Sequence, residues 1–251
     1  MKEKRNLLYF FLSAFFISNA LLAEFIGVKI FSLESTFGFH PVQWQIFGIE
    51  LSFNLTAGVL LWPLVFIFTD VINEYYGRRG VRFLSFTAAG LITYAYGMVF
   101  LAMGLSPADW WITANADKGL PDQSIAFNVI FGQGMWIIVG SLIAFLVSQL
   151  IDVTVFHKIK SITGSKKIWL RATGSTVVSQ LIDSFVVLFI AFYIGAGYDL
   201  KWVIAVMIMN YIYKFSVAVL VTPLLYLIHA GIDKYLGHEL AQQMMQEARE
   251  E

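Results

Sequence analysis

Six stretches of the chain are apolar and almost free of charge, at about residues 7–24, 55–76, 83–106, 124–156, 170–195 and 202–232. A helix rises about 1.5 Å per residue and a bilayer core is about 30 Å thick, so roughly 20 apolar residues suffice to cross it. The pattern predicts an all-α membrane protein with six transmembrane helices in one domain. The fourth stretch is longer than a crossing needs and is expected to tilt or protrude. Lys2, Lys4 and Arg5 ahead of the first stretch give it the outline of a signal peptide. No A-x-A cleavage site follows and many further spans do, which favours a first transmembrane helix. Residues 29–53 break the pattern with Gly38 and Pro41 among Phe37, Phe39, Trp44 and Phe47, and read as an interfacial loop with short extended pieces. Residues 109–122 read as a polar loop anchored by Trp110 and Trp111. Residues 157–168 read as a basic loop, and residues 233–251 as a polar tail with a short cytosolic helix.

Charge sets the orientation. With the N-terminus in the cytoplasm, the cytoplasmic segments hold Lys2, Lys4, Arg5, Arg78, Arg79, Arg82, Lys158, Lys160, Lys166, Lys167, Arg171, Lys234 and Arg249, of 17 basic residues in all. The outer segments hold Lys29, Lys118 and Lys201, and Lys214 lies within a span. This excess of basic residues on one side puts both termini in the cytoplasm, and five or seven spans would break the alternation.

Composition agrees with the pattern. Of 251 residues, 58% are hydrophobic and 14% charged, against about 25% charged in soluble domains. Mean hydropathy is +0.71. The net charge of zero gives no reason to expect a nucleic-acid partner. The absence of cysteine excludes disulfides and thiolate chemistry, and His40, His157, His229 and His238 fall in no metal-ligand spacing. Neither a metal nor a cofactor is expected. No G-x-x-x-x-G-K-[ST] occurs, so any ATP-driven step would need a partner.

The candidate chemistry lies in polar residues at membrane depth, which are costly there and mark function by default. Asp70, Asn73 and Glu74 share one helical face at the end of the second stretch, before a Tyr75-Tyr76-Gly77 turn. Ser148-Gln149-Leu150-Ile151-Asp152 recurs as Ser179-Gln180-Leu181-Ile182-Asp183, in helices that cross in opposite directions, with the copies expected at different depths. Asp183 and Lys214 both fall near mid-membrane. They form either an ion pair that locks two helices or part of a water-filled substrate cavity. Asp152 pairs with Arg171 or joins the same site. Glu74 is either a solvated helix-end residue or a site residue. Asn19, Asn54, Gln133 and Asn210 complete the polar set. Carboxylates beside aromatic rings suit a flat heteroaromatic ligand with paired N–H donors.

Several stretches together carry a resemblance. They are Trp62-Pro63-Leu64 through Thr69-Asp70 to Tyr76-Gly77, then Ser148 to Asp152 with Val155-Phe156. Trp169 with Arg171, Ser175-Thr176 and Gln180 to Asp183 follow, and Asn210-Tyr211-Ile212-Tyr213-Lys214 is the last. In this order and spacing the chain resembles the queuosine precursor transporter family. The resemblance implies an importer in the bacterial inner membrane, not an enzyme. Its ligands would be guanine-like heterocycles, the cyano and aminomethyl 7-deazaguanine precursors of tRNA queuosine. It also implies a fold similar to the vitamin-binding subunits of energy-coupling factor transporters. Asp70, Gln149, Asp152, Asp183 and Lys214 are the residues it carries over, and Asn210 stands where the family elsewhere has an acid. Three functions compete. One is a secondary transporter, possible also as a homo-oligomer. The second is a vitamin-binding subunit with an ATPase partner, docked through Ala14-x-x-x-Ser18. The third is an intramembrane hydrolase using Asp152 and Asp183.

Overall fold

The computed structural model describes residues 2–132, 135–163 and 168–250. Helix α1 is Lys2–Ile26. Strands β1 (Ile30–Ser32) and β4 (Asn54–Thr56) pair antiparallel, Ile30 opposite Thr56. Between them lie a short helix α2 (Leu33–Thr36) and the hairpin β2 (Trp44–Ile46) and β3 (Ile49–Leu51). The interfacial loop expected here thus holds three short strands among the described residues, with β4 directly after it. Leu55 to Leu60, expected to open the second transmembrane helix, instead completes the strand β4 and forms a 3₁₀ turn, Ala57–Leu60. Gly58 makes that turn possible, because a Cβ there would stand 2.6 Å from the Ala23 carbonyl oxygen of α1.

The next helix, α3 (Trp62–Met103), contains two rods joined at Gly77, whose φ of 69° and ψ of −171° belong to glycine. The contacts with α1 show that the chain reverses there. Phe68 packs on Phe15 and the Tyr76 hydroxyl bonds the Arg5 carbonyl, so the first rod runs against α1. The Gly80 carbonyl accepts from Tyr9, and Tyr96 reaches Glu24, so the second rod runs with it. The turn expected at Tyr75-Tyr76-Gly77 is therefore present.

Helices α4 (Asp109–Ile112) and α5 (Gln123–Phe131) precede α6 (Met135–Thr163), so the fourth expected helix is broken near Gly132 and extends into the expected basic loop. Helix α7 (Ile168–Leu188) continues as a π-helical segment, Phe189–Gly195. The sixth expected helix is two pieces, α8 (Leu200–Leu220) and α9 (Thr222–Leu236), the second opening on Pro223. Helix α10 (His238–Glu250) buries Ala241, Met244 and Ala248 against the rest of the molecule, rather than standing free as a tail.

Among the described residues, five helical segments are long and apolar enough to cross a membrane: Lys2–Ile26, Trp62–Met103, Gln123–Thr163, Trp169–Gly195 and Leu200–Leu220. The second is the one that turns at Gly77. Many of the basic residues gather at one end of the molecule. Arg5 pairs with Glu247 at 2.6 Å, Lys4 donates to the Tyr235 carbonyl, and Lys160 and Arg171 meet Glu74 beside the Gly77 turn. Both termini are therefore at that end.

At the centre α6 packs antiparallel on α7. A seam of small residues, Gly140, Ala144 and Ser148 on α6 with Ser175 and Ser179 on α7, lets the two backbones approach closely. A Cβ on Gly140 would come within 3.2 Å of the Val187 carbonyl oxygen.

Candidate functional site

The five-residue repeat has a structural meaning. Ser148 Oγ stands 3.5 Å from Asp183 Oδ1, and Ser179 Oγ donates to Asp152 Oδ1 at 3.0 Å. The two copies face each other at one depth, each serine on the other copy's aspartate, rather than lying at different depths. Antiparallel helices with i, i+4 spacing give this reciprocal arrangement directly.

The two aspartates then diverge. Asp183 accepts from Lys214 Nζ of α8 at 2.6 Å, with both side chains mostly shielded. This pair borders a cavity of about 360 Å³, within the roughly 300–1,000 Å³ of small-molecule sites. Asn210, Glu24, Ser141, Trp62 and Phe192 also line it. Phe192 comes from the π-helical segment, whose wider turn places it and Ala191 on the cavity wall.

On the other side of Trp62 and Lys214 lies a narrow crevice of about 30 Å³, room for about one water molecule. Asp70, Thr173, Thr176, Gln180 and Thr222 line it together with Lys214. Asp70 is buried at 4% exposure, with the Thr176 hydroxyl 3.5 Å from its Oδ2. Asp152 is fully buried nearby, its partner Ser179 lying one turn along α7 from Thr176.

Glu74 corrects the expectation of a solvated helix end. It is 2% exposed and held by Arg171 through two bonds, Nε to Oε2 at 3.0 Å and Nη2 to Oε1 at 2.7 Å. Lys160 Nζ stands 3.3 Å from Oε2. The guanidinium expected to pair with Asp152 thus grips Glu74, and Asp152 has Ser179 instead. Above this triad the Tyr75 hydroxyl donates to Asp233 at 2.7 Å and meets His229 at 3.0 Å, closing this end under α9 and α10.

The remaining candidates spread out. Gln149 is buried and accepts from Thr69 at 3.1 Å. Asn73 is fully buried beside the triad's helix face. Asn19 turns its amide back to the Phe15 carbonyl at 2.8 Å, a bond within its own helix. Asn54 is exposed in β4 and bonds Ser52, away from both cavities. Gln133 lies outside the described residues. Glu24 is the residue that the sequence reading passed over. It is 8% exposed, its Oε2 accepts from Ser141 at 2.8 Å and from Tyr96 at 3.4 Å, and it faces the wide cavity. A carboxylate closing an otherwise uncharged first span was the available signal.

Comparison with known proteins gives this geometry a context. A family profile described as "Putative vitamin uptake transporter" matches residues 56–228. A Bacillus subtilis protein named "Probable queuosine precursor transporter" is 34% identical over 186 residues, 72% of this chain and 73% of that protein. A Haemophilus influenzae protein of the same name is 27% identical over 150 residues, 59% of this chain and 56% of its own length. The Escherichia coli "Queuosine precursor transporter" is 28% identical over 146 residues, 57% of this chain and 58% of its own length. No solved structure matches, so likeness to energy-coupling factor subunits rests on the resemblance alone. These relatives are named as transporters, not enzymes. The matched region runs from the Ala57–Leu60 turn through both faces of the α6–α7 seam into α9, and on that extent the chain belongs to this family of multi-pass membrane transporters.

Proposed function

We propose that the chain imports a queuosine precursor, a guanine-like 7-deazaguanine base in its cyano or aminomethyl form, across the bacterial inner membrane. The observation that carries this reading is the 360 Å³ cavity between apolar helices, floored by Asp183 and Lys214, in a chain whose relatives are named for this cargo. A carboxylate accepts paired N–H donors of the kind a guanine-like edge presents. Trp62 and Phe192 supply aromatic rings to the lining of the same cavity. Asp183, Lys214 and Asn210, which line that cavity, bind the base.

On this reading the five long helical segments, one of which reverses at Gly77, make six crossings, and the basic end with both termini lies in the cytoplasm. The cavity on the Glu24 side is then the extracellular one. The Glu74–Arg171–Lys160 triad and α10 close the cytoplasmic side in the state described, so import requires that side to open.

The test uses cells unable to make queuosine precursors, supplied with 7-cyano-7-deazaguanine. Queuosine is expected in their tRNA only when this gene is expressed. Correctly inserted protein with no queuosine in tRNA would contradict the assignment of cargo.

A further inference from the structure

The reciprocal Ser–Asp seam makes Asp152 and Asp183 equivalent across α6 and α7, yet their surroundings have opposite charge. Asp183 is bonded to the ammonium of Lys214, whereas Asp152 lies near a second carboxylate, Asp70, since their hydroxyl partners Ser179 and Thr176 are one turn apart on α7. Both members of the Asp70–Asp152 pair are buried, at 4% and 0% exposure. The bonds to their oxygens come from neutral hydroxyls, Thr176 on Asp70 and Ser179 on Asp152. Asp70 Oδ1 and Asp152 Oδ2 have no hydrogen-bond partner.

The charged neighbours are engaged. Glu74, one turn along α3, is held by Arg171 of α7 and Lys160 of α6. Lys214 of α8 borders the same crevice as Asp70 but is bonded to Asp183. A second observation points to an occupant. Gln180 lines that crevice at 4% exposure, and its Nε2 has no partner. Gln149, buried close by through its bond to Thr69, likewise has an unpartnered Nε2. The Gln180 amide donor beside a water-sized space that Asp70 also lines suits a water molecule on the way to the carboxylates.

We propose that the Asp70–Asp152 pair carries one exchangeable proton that is coupled to transport, at a site separate from the substrate cavity. Two adjacent buried carboxylates without a cation are costly. One shared proton removes a charge and supplies a donor to an otherwise unpartnered oxygen. In each cycle a proton from the outer side would pass by Lys214 and the crevice water, form an O–H bond on the pair, and leave to the cytoplasmic side as that bond breaks. Two unpartnered oxygens with their hydroxyls already committed suit a proton better than a sodium ion, which needs a fuller oxygen shell. The inference rests on the importer reading.

The experiment uses the purified full chain in liposomes with labelled 7-cyano-7-deazaguanine, measuring equilibrium exchange, accumulation under an acidic exterior, and internal pH by a trapped dye. The wild type is expected to exchange base, to accumulate it up to about tenfold per pH unit for one proton per base, and to acidify the interior as base enters. Asp152→Asn, which lines neither cavity, is expected to keep exchange and lose the response to the gradient. Gradient-driven accumulation by Asp152→Asn equal to wild type would overturn the proposal. So would a wild type that exchanges base but is indifferent to pH, or one that follows a sodium gradient instead. Absence of exchange by the wild type would overturn the importer reading as well.

Discussion

Lys214 stands between two carboxylates and two cavities, bonded to Asp183 in one and lining the crevice of Asp70 in the other. Removing one partner of a shielded ion pair leaves an uncompensated charge, whereas removing both is often tolerated. Asp183→Asn and Lys214→Ala are each expected to abolish uptake while the protein still inserts. If the double replacement restores uptake, the pair is structural and the cavity floor has been misassigned. The sequence made Asp183 and Lys214 legible because ionisable groups stand out in an apolar span. It could not choose between lock and site, because both roles call for the same residues at the same spacing. Glu24 was illegible for the opposite reason: at a span's end it looks solvated, and only the folded position of Ser141 and Tyr96 brings it inside.

The α6–α7 seam depends on small residues more than on polar ones. Gly140→Leu would drive a side chain into the Val187 carbonyl and Ile190, and is expected to cost about 1–3 kcal/mol, read as a lower unfolding temperature in detergent. An unchanged temperature would mean that the helices are less closely packed than described. Helix existence was legible from the hydrophobic stretches. The breaks were not. The start at Trp62 rather than Leu55 depends on β4 pairing with β1, a contact between distant segments. The break near Val221 depends on Pro223, whose ring cannot continue the preceding turn. The repeat was legible as a pattern, but its reciprocal bonding emerged only when α6 and α7 were seen packed antiparallel.

At the scale of the whole molecule, the two ends differ. One is basic, holds both termini and is sealed by a buried ion triad; the other leads from short strands to a cavity that holds a ligand-sized space. A cysteine replacing the exposed Arg79 is expected to react with an impermeant reagent only after the cells are permeabilised, and reaction in intact cells would invert the topology. On the proposed topology, the wide cavity is the entry side of the proposed importer. The most direct measurement is equilibrium binding of 7-cyano-7-deazaguanine to the purified chain and to Asp183→Asn, with guanine-unrelated bases as competitors. Saturable binding by the wild type, resistant to those competitors and lost in Asp183→Asn, is the expected result. Equal binding by both proteins, or none by a folded wild type, would contradict the placement of a guanine-like cargo at the Asp183–Lys214 floor.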